Sequence, residues 1–126
     1  SLNHDNVVTL LDVFKRNRRL YLVFEYIEYS LLDFMERSKT GISLSSIKKI
    51  LYQICQALLY MHQNDVIHRD LKPENVLLTE FGFVKLCDLG FARSVSGVLS
   101  RCGYTEYVAT RWYRAPELLI GDTRYG

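Results

Sequence analysis

Two β-rich runs open the chain, Val7-Val8-Thr9-Leu10-Leu11-Asp12-Val13-Phe14 and Leu20-Tyr21-Leu22-Val23-Phe24. The polar stretch from Lys15 to Arg19 between them predicts an antiparallel hairpin. Two strands alone are marginal in water, so the pair needs neighbours. Leu31 to Ser38 reads as a short helix closed by Gly41. From Leu44 to His62 the apolar spacing changes to threes and fours. Ile47, Ile50, Leu51, Ile54, Leu58 and Met61 share one stripe, and Ser43 stands at the N-cap. That stripe reads as core, and Cys55 beside it as a small buried hydrophobe.

After the helix, Val66-Ile67, Val76-Leu77-Leu78 and Phe83-Val84-Lys85-Leu86 are short apolar pieces separated by polar sequence. Glu80-Phe81-Gly82 makes the turn between the last two. From Gly90 to Arg114 no period persists, and that stretch reads as a long loop, of a length that tends to be functional or mobile.

Composition adds boundaries. With 126 residues, 48% of them hydrophobic, the chain is globular and holds one modest domain. A net charge of +2 gives no reason to expect a nucleic-acid partner, and the basic run Lys15, Arg16, Arg18, Arg19 reads as a solvated turn. Cys55, Cys87 and Cys102 have neither a disulfide-framework nor a zinc spacing. Reduced thiols fit an intracellular protein, cytoplasmic or nuclear. No run approaches the ~20 apolar residues of a membrane helix and no signal peptide opens the chain, so no membrane role is expected.

The chemistry concentrates in His68-Arg69-Asp70-Leu71-Lys72-Pro73-Glu74-Asn75 and, further on, Lys85-Leu86-Cys87-Asp88-Leu89-Gly90. Phosphoryl transfer asks a protein mainly for an acceptor hydroxyl held in line, divalent metal on the phosphates and a cation near the transferred group. Two carboxylates, an amide oxygen and a lysine on adjoining loops supply that set. A third block, Val108-Ala109-Thr110-Arg111-Trp112-Tyr113-Arg114-Ala115-Pro116-Glu117, follows in order.

In this order the three blocks resemble the protein kinase superfamily. Trp112-Tyr113-Arg114 resembles the branch of cyclin-dependent and mitogen-activated kinases. Lys85 to Asp88, Gly90-Phe91-Ala92-Arg93 and Thr105-Glu106-Tyr107-Val108-Ala109-Thr110-Arg111 resemble the cyclin-dependent-kinase-like family. The fold implied is α+β, a two-lobed kinase-like architecture that is incomplete here. Residues 1–24 would end the N-lobe with two strands, 25–30 would be the hinge, and 31–126 part of a mostly helical C-lobe. The catalytic loop would span 66–75 and the activation segment 88–117.

The resemblance also implies roles. Asp70 would orient the substrate hydroxyl and take its proton, with Lys72 near the transferred phosphoryl group and Thr110 bonded to both. Asn75 and Asp88 would hold Mg²⁺. Phe24 would guard the back of the ATP pocket, backbone groups of Glu25 and Ile27 would bind adenine, and Leu77 would be its floor. His68 looks like a packing residue rather than a base, and Leu10, His68 and Leu89 like parts of an apolar stack between the lobes. Thr105 and Tyr107 look like activation-loop phosphoacceptors for an upstream activating kinase, read by Arg69, Arg93 or Arg111. Lys72 and the Thr110 block imply serine/threonine acceptors on protein substrates. Cys87 would lie near the nucleotide, either simply buried or open to an electrophile.

Two departures qualify the likeness. Leu89 stands where phenylalanine is usual, and leucine is large and apolar enough to pack there. No glycine-rich phosphate loop precedes Asn3, so these residues alone are expected to be inactive and prone to aggregation. The competing reading is a noncatalytic pseudokinase or truncated regulatory protein that binds kinase partners. A metal-dependent hydrolase would require the order of the three blocks to be accidental.

Overall fold

Alternating apolar residues and a two-residue turn make the first element. The computed structural model describes residues 2–89, 92–94 and 111–120. Strand β1, Leu10–Arg16, pairs antiparallel with β2, Arg19–Phe24, with Lys15 opposite Leu20 and Arg16 opposite Arg19. The connection is therefore Asn17-Arg18 alone, both at positive φ (49° and 62°), the geometry that matches the twist of a hairpin. Val7 and Val8 leave this hairpin. Val7 bridges Leu86 in parallel, and the Val8 N–H donates to the Leu86 carbonyl at 2.9 Å, so both valines are buried.

Helix α1, Leu31–Arg37, starts at Ser30, whose hydroxyl accepts the Asp33 N–H while the Asp33 carboxylate accepts the Ser30 N–H. Helix α2, Leu44–Gln63, starts at Ser43, which accepts the Ser46 N–H at 3.1 Å. Its buried stripe is Ile50, Ile54, Ala57 and Met61, with Leu58 partly buried. Ile47 and Leu51, expected in the core, are exposed, and so is Cys55. The small sheet covers one narrow arc of α2, and residues a helical step to the side of that arc face outward.

The connected strands beneath α2 are β3, Tyr29–Ser30, β5, Val76–Leu78, and β6, Val84–Leu86, in the order β3-β5-β6. Both pairings are antiparallel. Gly82 turns β5 into β6 at φ 83°, and its carbonyl accepts the Gln53 amide at 3.0 Å. Gln53 also accepts the Val84 N–H at 2.9 Å, fastening α2 to β6. Strand β4, Val66–Ile67, pairs with β7, Arg93–Ser94, inside the stretch read from sequence as loop. Both β3 and β7 are two residues long, too short to carry a period. Among the described residues, 3₁₀ turns at Pro73–Asn75 and Arg111–Tyr113 and the short α3, Pro116–Leu119, complete the elements.

The core gathers Val7, Ile50, Ile54, Ala57, Met61, Val76, Leu78, Val84 and Leu86 between α2 and the sheet. It lies directly behind the segment joining β4 to β5, and that position fixes the site. Among the described residues no helix is long and apolar enough to cross a membrane.

Candidate active site

The segment between β4 and β5 places polar side chains in the interior. His68, Arg69, Asp70 and Asn75 are all buried, His68 to 2% and Asp70 to 3% exposure. Buried polar groups persist where they are hydrogen-bonded, and His68, Asp70 and Asn75 form a connected set. The Asn75 amide donates to the Asp70 carbonyl at 2.8 Å and to its carboxylate at 3.0 Å. The Lys72 ammonium stands 3.2 Å from that carboxylate oxygen. A 3₁₀ turn at Pro73–Asn75 turns Asn75 inward, its N–H donating to the Lys72 carbonyl at 2.9 Å.

His68 holds the loop from behind. Its Nδ1 accepts the Asp70 N–H at 3.2 Å, which leaves Nε2 to carry the proton and donate to the Cys87 carbonyl at 3.0 Å. Burial pushes the imidazole below its ordinary pKa, outweighing that bond and the nearby Asp70 and Asp88 charges, so the ring is neutral at pH 7. A ring with both nitrogens engaged braces the loop. The Cys87 N–H donates to the Asn75 carbonyl at 3.0 Å, so the residue preceding Asp88 is tied to the loop.

Backbone strain collects here. Arg69 and Asp88 adopt positive φ (67° and 58°), a conformation that costs a non-glycine residue roughly 1 kcal/mol or more. They bracket the bonded network, which holds them in place. Cys87 is half-buried, and burial, then the Asp88 charge, pushes its thiol up. The thiol form is the weaker nucleophile, which lowers its promise as a target for electrophiles.

The residues expected around adenine form a second group. Phe24 ends β2 and is exposed, while Glu25, Ile27 and Leu77 are half-buried. The Glu25 N–H donates to the Thr9 carbonyl at 3.0 Å, so its carbonyl is the group left for a ligand. The Glu25 carboxylate accepts the Thr9 N–H at 2.7 Å and the Lys85 ammonium at 2.7 Å. Lys85 entered the sequence reading only as part of a motif. The available signal was its place between Val84 and Leu86, since strand alternation turns it to the face opposite two buried residues.

Thr105, Tyr107 and Thr110 lie outside the described residues. Arg93 lies in β7 and Arg111 opens the second 3₁₀ turn. Leu89 packs partly buried against the core, whereas Leu10 of the expected apolar stack is 38% exposed.

A closed metal centre does not fit: among the described residues no three His, Cys, Asp or Glu side chains converge. Mg²⁺ instead takes a few hard oxygen donors and keeps waters or phosphates. Asn75 meets that requirement, because its amide nitrogen is spent on Asp70 and its oxygen remains. Asp88 supplies a carboxylate on the strand extension tied to Asn75.

Two cavities flank α1 and the β5–β6 turn. The larger, about 890 Å³, is lined by Phe34, Ile50, Tyr52, Leu78 and Phe81 among others. A smaller one, about 350 Å³, borders Ile27 and Tyr29. Neither takes in Asp70, Asn75 or Asp88.

Comparison with known proteins agrees with this geometry. The model of the protein kinase domain matches residues 1–126. Mouse cyclin-dependent kinase-like 4 is 53% identical over 125 residues, covering 99% of this chain and 36% of that protein. Human cyclin-dependent kinase-like 2 is 49% identical, with 25% of its length covered. A chain in the crystal structure of the yeast RNA polymerase II CTD kinase complex superposes with a TM-score of 0.87 at 37% identity, covering all of this chain and 41% of that one. The chain thus spans about a third of the mouse relative's length, and its α+β fold is the corresponding part of a kinase fold. It belongs to the protein kinase family, with cyclin-dependent-kinase-like kinases among its relatives.

Proposed function

We propose that the protein carrying this chain is a serine/threonine kinase that transfers the γ-phosphoryl group of ATP to protein hydroxyls. The observation that supports it most is Asp70, buried at 3% exposure, bonded through Asn75 and facing Lys72 at 3.2 Å. A carboxylate so held can orient an acceptor hydroxyl and take its proton while the oxygen bonds to the γ-phosphorus and ADP departs. Lys72 offsets charge developing on the transferred group. Mg²⁺ held by Asn75 and Asp88 would supply charge neutralisation on the phosphates.

In this reading residues 1–24 close the N-lobe, 25–30 are the hinge, and 31–126 carry the catalytic loop (66–75) and activation segment (88–117). The Glu25 carbonyl and Ile27 receive adenine over Leu77, with Phe24 behind. Thr110 shapes the acceptor site, and phosphate on Thr105 or Tyr107, placed by an upstream kinase, orders the segment through Arg69, Arg93 or Arg111. The 126 residues expressed alone are expected to be inactive, since the glycine-rich loop and strand lysine of the family do not occur among them.

The test is transfer of labelled γ-phosphate from ATP to a serine/threonine peptide library by the full-length protein. Asp70→Asn should lower kcat by at least ~10³-fold with folding retained. Equal activity in wild type and Asp70→Asn, or none in wild type that binds Mg·ATP, would sink the proposal.

A further inference from the structure

Lys85 is a charged side chain placed where three parts of the proposed nucleotide site meet. On β6 it lies between Val84 and Leu86, both fully buried, so strand alternation sends it to the other face of the sheet. Directly across the antiparallel ladder stands Leu77, the proposed adenine floor. Its ammonium reaches the Glu25 carboxylate at 2.7 Å, with only 17% of the lysine side chain and 27% of the glutamate exposed. Three residues further along the same strand direction comes Asp88.

Glu25 turns that ion pair into control of the backbone. Its carboxylate accepts the Thr9 N–H at 2.7 Å while its own N–H donates to the Thr9 carbonyl at 3.0 Å. This closed pair of bonds fixes the Phe24–Glu25 peptide plane and the Glu25 side chain, and so the position of the Cα from which the Glu25 carbonyl projects. A carbonyl in that position accepts from a base with an exocyclic amine, such as adenine, and repels the exocyclic carbonyl of guanine. Without Lys85 the carboxylate would keep the Thr9 bond but carry an uncompensated, half-buried charge, which water can relieve only by drawing Glu25 outward. The charge on Glu25 also persists well into acid. Burial works to raise its pKa, but the bonds to Lys85 and Thr9 outweigh that and leave it lowered.

We propose that Lys85 is a positioning residue for the purine end of the nucleotide site, acting through Glu25 to hold the hinge carbonyl and thereby to favour adenine over guanine nucleotides. Lys85 touches neither substrate nor transferred phosphoryl group in this account. It rests on the kinase reading above, so binding and transfer are measured separately.

The experiment uses the full-length protein, with Mg·ADP and Mg·GDP binding followed by titration calorimetry and kcat and KM for ATP measured on a peptide substrate. Lys85→Met should weaken Mg·ADP binding and raise the KM for ATP about 10-fold, leave kcat within about twofold, and shrink the ADP-over-GDP preference by a similar factor. Lys85→Arg, which keeps the cation, should restore most of the affinity. Glu25→Gln keeps an acceptor for Thr9 and removes only the charge. It should weaken Mg·ADP binding as Lys85→Met does, with the double variant no weaker than either, and it reads the same coupling should Lys85→Met not fold. Unchanged nucleotide affinity in both single variants, additive losses, or a loss confined to kcat would overturn the tether. A wild type that binds no Mg·ADP would overturn the kinase reading itself.

Discussion

The hairpin and the candidate catalytic segment differ in what they bury. Every residue of β1 and β2 is exposed, among them Leu11 at 62% and Leu20 at 66%, so the hairpin rests on its ladder and the Asn17-Arg18 turn. The segment 68–75 instead buries His68, Arg69, Asp70 and Asn75 and bonds His68, Asp70 and Asn75 to one another and to residue 87. Apolar residues in the hairpin face solvent while polar residues in the loop sit inside. Where side chains are needed for chemistry, the fold gives up interior volume to polar groups and fixes them by complete bonding.

The sharpest way to break this contrast is at Asn75. Asn75→Ala removes two bonds to Asp70 and should lower kcat of the full-length protein by at least ~10²-fold, measured at saturating ATP. A loss below threefold would show that the loop does not depend on its internal bonding. Next comes the support behind the loop. Leu86→Ala empties a fully buried position and should lower unfolding free energy by about 2–5 kcal/mol in urea denaturation.

Acid separates the regions by pH. His68 has a folded pKa below its ordinary 6.5, so the unfolded chain binds more protons as pH falls. Its contribution is complete above about 6.5 and is lost as pH falls through the folded value. Glu25, at the hairpin's exit, is lowered from 4.5, so its contribution is present above 4.5 and is lost only in stronger acid, through its own folded value. Stability followed from pH 8 to 3 should therefore fall in two stages, and His68→Gln should erase the first. A single stage near pH 4 in wild type would contradict the buried neutral ring. The smallest effect expected is stabilising. Arg18→Gly relieves a positive φ at the hairpin turn and should raise stability by about 0.5–1 kcal/mol, seen as a Tm increase of a few degrees.

Much of the molecule was readable in advance. The hairpin, α2 with its Ser43 cap, and the turn at Gly82 all follow from local pattern, because period, capping and turn geometry are short-range properties. Local pattern misassigned Ile47, Leu51 and Cys55, since the arc of a helix that becomes buried depends on what packs against it. It gave no sign of the Ser30–Asp33 box until the helix start was known, nor of β3 and β7, whose pairing partners lie far off in sequence.

By itself the sequence determined the chemistry on offer: which carboxylates, amide and lysine occur, and in what order along the chain. Only the tertiary structure decided that Asn75 would spend its nitrogen on Asp70, that His68 would be neutral with its proton on Nε2, and that Lys85 would meet Glu25 across 60 residues of chain. The physical reason is common to all three. Residue identity is local, but desolvation, tautomer and ion pairing are set by neighbours that only the folded chain brings within 3 Å or so.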